Sequence, residues 1–455
     1  MALHYPFFKA YDVRGRVPDE LNPDMARRIG AAFATARQPR SVAVGHDMRL
    51  SSRELADAVI EGLTSCGVDV IDIGLCGTEE VYYAAFDLPA DGGIMVTASH
   101  NPADYNGFKF VGPGAVPISS DDGLNEIETL VFENEFPVAD VPGQVREQDR
   151  KHRYAAWLAS RVDTSVLKPL KIVVNGGNGS VGPLIDALEP HLPFQLIRVH
   201  CSPDGRLPNG VPNPLLPENR AATADAVRSA KADLGVAWDG DFDRCFLFDA
   251  QGRFVEGYYI VGLIAEAMLK RDRGAHIVHD PRLTWNTIDM VRSAGGIPVQ
   301  SKTGHAFIKS RMRAEDALYG GEMSAHHYFR DFAYCDNGNL PWLLVAQLMC
   351  EQGRSLASLL EERIERFPVS GEINRKIDDP QAALKTVEAR YAPDALKVEH
   401  VDGLSVEYAD WRFNLRLSNT EPLVRLNVES RGNPALMQDK TEELLSLIDS
   451  QQGTS

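Results

Sequence analysis

The stretch Gly93–Phe110, GIMVTASHNPADYNGFKF, joins an apolar run to a polar turn. Ile94 to Thr97 are apolar or β-branched, which predicts a strand buried on both faces. The turn that follows places the hydroxyl of Ser99 at the carboxyl end of this strand, where open α/β sheets carry their active sites. Ser99 is therefore a candidate nucleophile or phosphate carrier. Its alternative is a turn or helix N-cap residue.

A candidate cation follows the same strand. Lys109 lies ten residues after Ser99, and Asn106 and Gly107 before it are predicted to form a turn. His100 stands next to Ser99. Arg14, in the segment Tyr11–Gly15, precedes a glycine, which on its own predicts a solvated turn residue.

Length and charge limit the function classes. A chain of 455 residues is too long for one core and predicts about three or four domains of ~100–150 residues. The formal net charge of −17 argues against nucleic-acid and anionic-membrane partners, and it requires a local basic cluster for any anionic substrate. The N-terminal residues lack a signal-peptide pattern, so we expect a cytoplasmic protein. Six cysteines without metal or redox spacing predict buried thiols.

A pattern of strand, polar loop, helix and strand recurs three times, from residues 41, 170 and 275. The glycine-rich loop at 175–179 lacks a nucleotide fingerprint and is interpreted as a tight turn. After residue 367 the pattern changes to strands separated by turns, with two helices. We therefore predict an α/β protein of three related α/β domains with mixed sheets and a C-terminal α+β domain, arranged around a central cleft. The predicted domains are 1–145, 146–253, 254–367 and 368–455.

Three carboxylates follow a second apolar run. Asp239, Asp241 and Asp243 alternate in the loop WDGDFDR and predict an oxygen site for a divalent cation. An EF-hand is excluded because Arg244 occupies the position of its glycine and Ala250 that of its bidentate glutamate. Few ligands beside an arginine favour Mg²⁺ bound together with a phosphate.

Two further loops carry polar groups. In the loop GGEMSAHH, Glu322 and Ser324 are expected on one side of an extended segment, where they could hold vicinal sugar hydroxyls. His326 and His327 end this loop. The last loop, RLSNTEP, begins at Arg416 and offers donors for a phosphate.

The motifs Y-D-V-R-G, T-A-S-H-N-P, D-G-D-F-D-R, G-E-M-S-A-H and R-L-S-N-T-E-P, taken in this order, resemble those of the α-D-phosphohexomutases, closest to bacterial phosphomannomutases. The resemblance implies reversible transfer of phosphate between the 1- and 6-positions of a hexose. The activator and intermediate would be a hexose 1,6-bisphosphate. It implies a role in GDP-mannose and polysaccharide synthesis, with a phosphoglucomutase or dual-specificity enzyme as the alternative. We expect a monomer or homodimer.

The resemblance also assigns roles to residues. Ser99 would carry the phosphate and share Mg²⁺ with the three aspartates. The remaining catalytic residues would be Arg14, His100, Lys109, Arg244 and His326. The substrate would be bound by Arg282, Lys302, Glu322, Ser324, Arg416, Ser418, Asn419 and Thr420. His327 has no counterpart in the family and is interpreted as structural.

Two rival functions use the same residues. A strand followed by D-x-D also marks haloacid-dehalogenase-like enzymes, in which an aspartate carries the phosphate instead of Ser99. A sugar-phosphate-binding regulator on the same fold would need no turnover. The identity of the phosphorylated residue and turnover by the isolated protein distinguish these alternatives.

Overall fold

The computed structural model of the protein describes residues 4–418 and 423–450. The chain divides into two compact units. The first contains Met1–Phe254 and His326–Gly353, and the second contains Val255–Ala325 and Arg354–Ser455. The domain boundaries predicted near 145, 253 and 367 stay predictions.

The first unit begins with a mixed sheet and its helices. Their bounds are β1 (Val13–Arg16), α1 (Pro23–Arg37), β2 (Ser41–His46), α2 (Ser52–Ser65), β3 (Asp69–Leu75), α3 (Thr78–Asp87), β4 (Gly93–Val96), β5 (Tyr105–Val111), α4 (Leu124–Glu133) and β6 (Val145–Glu147). The strand order is β1-β5-β4-β2-β3-β6. β2 pairs in parallel with β3 and β4, whereas β5 runs antiparallel to β4 and β1. Every residue of β4 is buried, as its apolar run predicted.

Asn106 and Gly107 do not form the predicted turn. Both lie inside β5, paired with β1. A Cβ on Gly107 would come within 2.0 Å of the carbonyl oxygen of Val13, so glycine lets the two strands approach. The buried Asn106 side chain donates to the hydroxyls of Ser51 and Ser52. Strand pairing overrides the local turn preference of these two residues.

The rest of the first unit carries a second sheet. Its strands and the helices around them are α5 (Lys151–Ala159), β7 (Lys171–Asn175), α6 (Gly182–Leu188), β8 (Gln195–Val199), α7 (Ala221–Ala230), β9 (Leu234–Trp238), β10 (Cys245–Phe248) and β11 (Phe254–Val255), in the strand order β11-β10-β9-β7-β8. Three elements outside this sheet follow later in the chain: β15 (His327–Phe329), β16 (Cys335–Asp336) and α11 (Leu340–Gln352). β7 pairs in parallel with β8 and β9, and β10 runs antiparallel to β9. β9 is buried throughout and leads directly into the loop at 239–244.

The second unit begins with parallel strands and the helices that connect them. Its elements are α8 (Gly257–Leu269), β12 (His276–His279), α9 (Trp285–Ser293), β13 (Ile297–Gln300), α10 (His305–Ala314), β14 (Tyr319–Gly321) and α12 (Leu356–Arg366). β12 pairs in parallel with both β13 and β14. The loop after β12 contains Arg282, and the loop after β14 contains Glu322.

The C-terminal part of the second unit is an antiparallel sheet covered by helices. Its elements are β17 (Ile373–Lys376), α13 (Pro380–Tyr391), β18 (Lys397–Glu399), β19 (Leu404–Glu407), β20 (Trp411–Leu417), β21 (Leu423–Ser430) and α14 (Pro434–Asp449). The strand order is β17-β21-β20-β19-β18. Val387 of α13 and Leu444 of α14 share one core with the strands. The predicted α/β fold with mixed sheets and a C-terminal α+β domain is confirmed.

Two further properties concern the cysteines and the helices. None of the six cysteines forms a disulfide bond; four are buried, whereas Cys66 and Cys201 are half-buried, so the expectation of buried thiols holds for four of the six. Within residues 4–418 and 423–450, no helix is long and apolar enough to cross a membrane.

Candidate active site

Ser99 lies in a turn directly after β4, and no helix follows it, so the N-cap alternative does not apply. Its φ of +47° is uncommon for a residue with a side chain. The amide of Ser99 donates to Thr97 Oγ1 at 2.8 Å, and the Thr97 hydroxyl donates to Asp47 Oδ2 at 2.7 Å. This buried chain of hydrogen bonds holds the unusual backbone conformation of Ser99.

Arg49 fixes the carbonyl side of the same turn. Its guanidinium is buried and donates to the backbone oxygens of Ser99 (3.1 Å), Asn101 (2.6 Å), Pro102 (2.6 Å) and Tyr105 (2.9 Å). Its Nε lies 3.4 Å from Asp47 Oδ2. No sequence motif identified Arg49 as part of the site. The available signal was an acidic–basic pair, Asp47 and Arg49, between a strand end and a helix start at the same sheet edge as Ser99.

The Ser99 hydroxyl faces the aspartate loop that follows β9. Ser99 Oγ donates to Asp239 Oδ2 at 3.0 Å. Arg244 donates to the same oxygen through Nε at 2.9 Å and Nη2 at 2.7 Å. A Cβ on Gly240 would come within 2.4 Å of the Ser99 carbonyl oxygen, so glycine permits the two loops to meet. The structure thus brings Ser99, Asp239 and Arg244 into direct contact.

The three aspartates form one buried cluster. A carboxylate oxygen from each of Asp239, Asp241 and Asp243 lies within 4.8 Å of the other two. Lys109 Nζ donates to Asp241 Oδ2 at 2.7 Å and to Asp243 Oδ2 at 2.6 Å. The Thr78 hydroxyl, at the start of α3, donates to Asp241 Oδ2 at 2.6 Å. Thr78 is a second residue that sequence analysis missed, and nothing in the local sequence marked it.

This cluster fits a small divalent cation. Asp241 Oδ1 and Asp243 Oδ1 are buried without a hydrogen-bond partner among the described residues. The donor set consists of carboxylate oxygens alone, which suits Mg²⁺ or another hard cation. Burial and the neighbouring Asp241 raise the pKa of Asp243 above its ordinary value. A bound cation would offset that repulsion.

Lys109 is held in its charged form. Burial disfavours the ammonium, but Asp241 and then Asp243 outweigh it and keep the pKa of Lys109 above its ordinary value. Arg14 lies in β1 and not in the solvated turn that its sequence alone predicted. Its Nε donates to Asp12 at 2.8 Å, and Asp12 and Asp241 keep the pKa of Arg14 raised although burial acts against this.

His100 contacts Ser99 and Arg244. The residue as a whole is exposed to solvent. Its ring nitrogen Nδ1 nevertheless faces the site and lies 3.1 Å from Ser99 Oγ and 2.5 Å from Arg244 Nη2. Desolvation of the ring and the Arg244 charge lower the pKa of His100 well below its usual range. The ring is therefore neutral near pH 7, and Nδ1 accepts a hydrogen bond.

His326 follows the loop of Glu322 and Ser324 in sequence and belongs to the first unit. It forms a backbone bridge with Arg244, and its Nδ1 lies 3.2 Å from Asp336 Oδ2. Burial disfavours its protonation, but Asp243 and Asp336 raise its pKa. His327 is buried in β15, where burial and His326 lower its pKa to about 3, in agreement with the structural role expected for it.

In the second unit, Arg282 contacts both polar residues of the loop that was predicted to bind sugar, Glu322 and Ser324. Its Nη2 donates to Asp280 at 2.8 Å and to Ser324 Oγ at 3.1 Å, and lies 3.6 Å from Glu322 Oε1. The expectation of an extended segment is wrong, because the Ala325 amide donates to the Glu322 carbonyl at 3.0 Å and closes a turn. Ala325 has φ +70°, a conformation in which glycine is favoured.

Lys302, the other basic residue predicted for this loop region, is exposed. Its Nζ lies 5.5 Å from the centroid of the Phe307 ring. The structure therefore describes Lys302 in a cation–π contact with Phe307.

The predicted phosphate loop is described in part. Arg416 is the penultimate residue of β20, and its Nη2 donates to Glu372 at 3.0 Å. The Ser418 amide donates to the Leu423 carbonyl at 3.0 Å. Asn419 and Thr420 lie outside the described residues. Arg425, which sequence analysis did not select, donates to the same Glu372 at 3.3 Å.

The chain is similar to known proteins over nearly its whole length. Four phosphoglucomutase/phosphomannomutase domain models match in order: alpha/beta/alpha domains I, II and III at residues 6–138, 152–252 and 256–367, and the C-terminal domain at 372–446. Phosphohexose mutases of Xanthomonas campestris pv. campestris are 58% identical over 97% of this chain and 99% of theirs. The chain belongs to this family. It is accordingly a phosphohexomutase, an isomerase-class phosphotransferase.

Other relatives agree with this assignment. A phosphomannomutase of Escherichia coli K12 is 55% identical over 97% of this chain and 98% of its own. A crystal structure of a phosphoglucomutase/phosphomannomutase family protein from Burkholderia thailandensis superposes with a TM-score of 0.87, at 32% identity over 99% of both chains. The family predicted from the five motifs is confirmed.

Proposed function

We propose that this phosphohexomutase interconverts mannose 1-phosphate and mannose 6-phosphate through a phosphoserine at Ser99 and a hexose 1,6-bisphosphate intermediate. The observation that carries the proposal is the 3.0 Å contact between Ser99 Oγ and Asp239, beside Arg244 and the aspartate cluster. The relative from E. coli K12, named phosphomannomutase, supports mannose. Met323 in the sugar loop agrees with the glucose and mannose members that the sequence resembles.

The aspartates and a phosphate on Ser99 would hold Mg²⁺, which when bound neutralises phosphoryl charge. The protein's own residues then position and stabilise the transferring group. Phosphoryl transfer requires mainly such positioning and charge stabilisation. Arg244 and Lys109 supply positive charge next to Ser99 and the aspartates, and Arg14 adds to it.

Each transfer exchanges one phosphorus–oxygen bond for another. The bond from phosphorus to Ser99 Oγ breaks as the free sugar hydroxyl bonds to phosphorus and loses its proton. We assign the acceptance of that proton to His326, because Asp336 lies 3.2 Å from its Nδ1 and can orient the ring. Lys109 is held protonated by two aspartates and serves as a charge. In the second half-reaction the other phosphate of the bisphosphate returns to Ser99.

Residues of the second unit would bind the sugar and the phosphate that does not react. Glu322 and Ser324 would accept and donate hydrogen bonds to vicinal hydroxyls, while Arg282 fixes the turn that carries them. Arg416 would bind the phosphate together with the loop that follows it. The lack of disulfide bonds among the six cysteines agrees with the reducing cytoplasm that we propose for the protein, where mannose 1-phosphate would feed GDP-mannose synthesis. A monomer or homodimer stays a prediction.

The phosphoserine is tested with Ser99→Ala. We expect loss of nearly all turnover with an unchanged melting temperature, because the substitution removes only the acceptor oxygen. Intact-mass measurement of the wild type after incubation with a hexose 1,6-bisphosphate is expected to show one phosphate, stable to hydroxylamine. Phosphate that hydroxylamine releases would place the phosphate on an aspartate and reject the proposal.

Mannose preference is tested separately, with kcat/KM measured side by side for mannose 1-phosphate and glucose 1-phosphate. We expect the higher value for mannose 1-phosphate. A higher value for glucose 1-phosphate would leave the phosphohexomutase assignment intact and replace mannose by glucose.

A further inference from the structure

Two arginines of the C-terminal sheet stand directly opposite each other. Arg416 of β20 and Arg425 of β21 are register partners in the antiparallel pair. Directly opposite residues of such a pair project to the same face of the sheet, and like charges in this position destabilise it. This pair therefore needs an anion.

Glu372 supplies that anion. Its Oε2 accepts from Arg416 Nη2 at 3.0 Å and lies 3.5 Å from Arg282 Nη1, and its Oε1 accepts from Arg425 Nη1 at 3.3 Å. Only 22% of the Glu372 side chain is exposed, so solvent screens these charges weakly. Burial opposes ionisation, but Arg282, Arg416 and Arg425 lower the pKa of Glu372 to about 2. One carboxylate thus faces three guanidinium groups.

Contacts other than those to Glu372 also hold the three arginines. Arg282 is also held by Asp280 at 2.8 Å and by Ser324 at 3.1 Å. Arg416 and Arg425 are fixed at the backbone by the β20–β21 ladder. Glu372 is therefore not required to hold any of the three backbones in place.

The cluster of Arg282, Arg416 and Arg425 also has N–H groups that Glu372 does not satisfy. The Nε atoms of Arg282, Arg416 and Arg425 are buried and lack a hydrogen-bond partner within the described part of the chain. Two carboxylate oxygens cannot satisfy this many N–H groups, whereas a phosphate offers more acceptor oxygens and more negative charge.

We propose that Glu372 is an internal counter-ion that occupies the arginine cluster between phosphate-binding events and competes with the phosphate of the substrate. This inference rests on the proposed role of Arg416 in phosphate binding. A competing carboxylate lowers phosphate affinity, because each bound phosphate must displace it. It also stabilises the cluster after phosphate leaves, which favours the release that a bisphosphate needs in order to return in its other orientation.

The test is calorimetric titration of inorganic phosphate, in EDTA, into the wild type and Glu372→Gln. Gln keeps the shape of Glu372 and removes its charge, so we expect phosphate to bind about tenfold tighter or more. With substrate, KM and kcat should both fall, because release is slowed. The matched control is Glu365→Gln, which removes the same charge from an exposed position of α12 and should leave the phosphate Kd unchanged. Equal or weaker phosphate binding by a folded Glu372→Gln protein would overturn the proposal.

Two further variants separate the outcomes. Glu372→Asp keeps the charge but is one methylene shorter, so it should contact the arginines less well and also bind phosphate more tightly. If Glu372→Gln does not fold, an unchanged Kd in Glu372→Asp overturns the inference. Arg416→Ala should weaken phosphate binding in the wild-type background. If it does not, the proposed role of Arg416 fails, whereas weakening by Arg416→Ala without tightening by Glu372→Gln rejects only the role of Glu372.

Discussion

Thr78 holds Asp241 at both backbone and side chain. Its amide donates to the Asp241 carbonyl at 3.1 Å, and its hydroxyl donates to Asp241 Oδ2 at 2.6 Å. Lys109 Nζ lies 3.1 Å from the same hydroxyl and donates to it. The first residue of α3 therefore orients the central carboxylate of the aspartate cluster, although it is 163 positions away in sequence.

Thr78→Val is predicted to weaken Mg²⁺ binding. Valine keeps the shape of threonine but cannot donate to Asp241, and a lost hydrogen bond to a charged group costs roughly 1.5–3 kcal/mol. We expect the Mg²⁺ concentration for half-maximal activity to rise about tenfold or more, with a parallel loss of Mg²⁺-induced thermal stabilisation. Thr78→Ser, which retains the hydroxyl, serves as the control. Equal Mg²⁺ dependence in the valine and serine variants would show that the hydroxyl does not orient the cluster.

The two aspartates that share Lys109 are predicted to respond differently to substitution. Asp241 accepts from Lys109 and Thr78, and these partners favour its charged form, whereas burial and Asp241 disfavour the charge of Asp243. In metal-free buffer, Asp241→Asn should lower the melting temperature and Asp243→Asn should leave it unchanged or raise it. Both should lose most activity.

Chelation tests whether the wild type requires a metal ion. EDTA should stop turnover of the wild type, and added Mg²⁺ should restore it. Full activity after exhaustive chelation would contradict a metal site at these aspartates. Equal melting temperatures of the two variants would contradict the difference between Asp241 and Asp243.

Local sequence was sufficient to predict the structure where a single strand or loop determines it. The apolar run before Ser99 predicted β4, and the alternating carboxylates predicted the Asp239–Asp243 cluster. Local sequence was insufficient where pairing with another strand, or contact with a side chain remote in sequence, determines the conformation. Asn106 and Gly107 are turn-formers by local preference, but pairing with β1 places them in a strand.

The missed site residues have the same explanation. Arg49 acts through four backbone carbonyls of another segment, and no motif records which carbonyls a side chain will reach. Thr78 and Glu372 act on residues brought near only by tertiary packing. The expected extended form of the Glu322 loop failed because Asp280 accepts from the Met323 amide and a positive φ at Ala325 closes the turn.

Stability is predicted to fall with rising pH because of two buried carboxyls at the start of α3. Burial raises the pKa of Glu79 to about 8 and that of Glu80 to about 7. Each folded-state pKa lies above the unfolded value of 4.5. The folded protein therefore holds these protons more tightly. Their contribution to stability is complete below pH ~4.5 and is lost as pH rises through ~7 and ~8, at up to ~1.4 kcal/mol per pH unit for each group.

The measurement is the melting temperature of the wild type and Glu79→Gln from pH 5 to 9. The glutamine cannot ionise, so the variant should lose part of the decline above pH 6. Glu61→Gln, at an exposed position of α2, should retain the full decline. Parallel curves for wild type and Glu79→Gln would show that Glu79 does not titrate in this range.

Arg49→Lys is predicted to impair catalysis through the geometry of Ser99. The Arg49 guanidinium donates to four carbonyls of residues 99–105, and a lysine ammonium cannot reach all four from one position. Ser99 would then lose part of the support for its left-handed backbone, and its hydroxyl would sample positions away from Asp239. A displacement of this kind, on the order of 1 Å, costs about 10²-fold in rate when transfer requires alignment.

The kinetic pattern distinguishes this role from a general loss of stability. We expect kcat to fall about 10- to 100-fold. KM and the Mg²⁺ requirement should change little, because the residues proposed to bind sugar and metal are intact. Arg53→Lys is the matched control, since Arg53 is an exposed arginine on the neighbouring helix α2 that contacts Asp57 and Asp72 and not the Ser99 turn. A large rise in KM with unchanged kcat would assign Arg49 to substrate binding instead of to the position of Ser99.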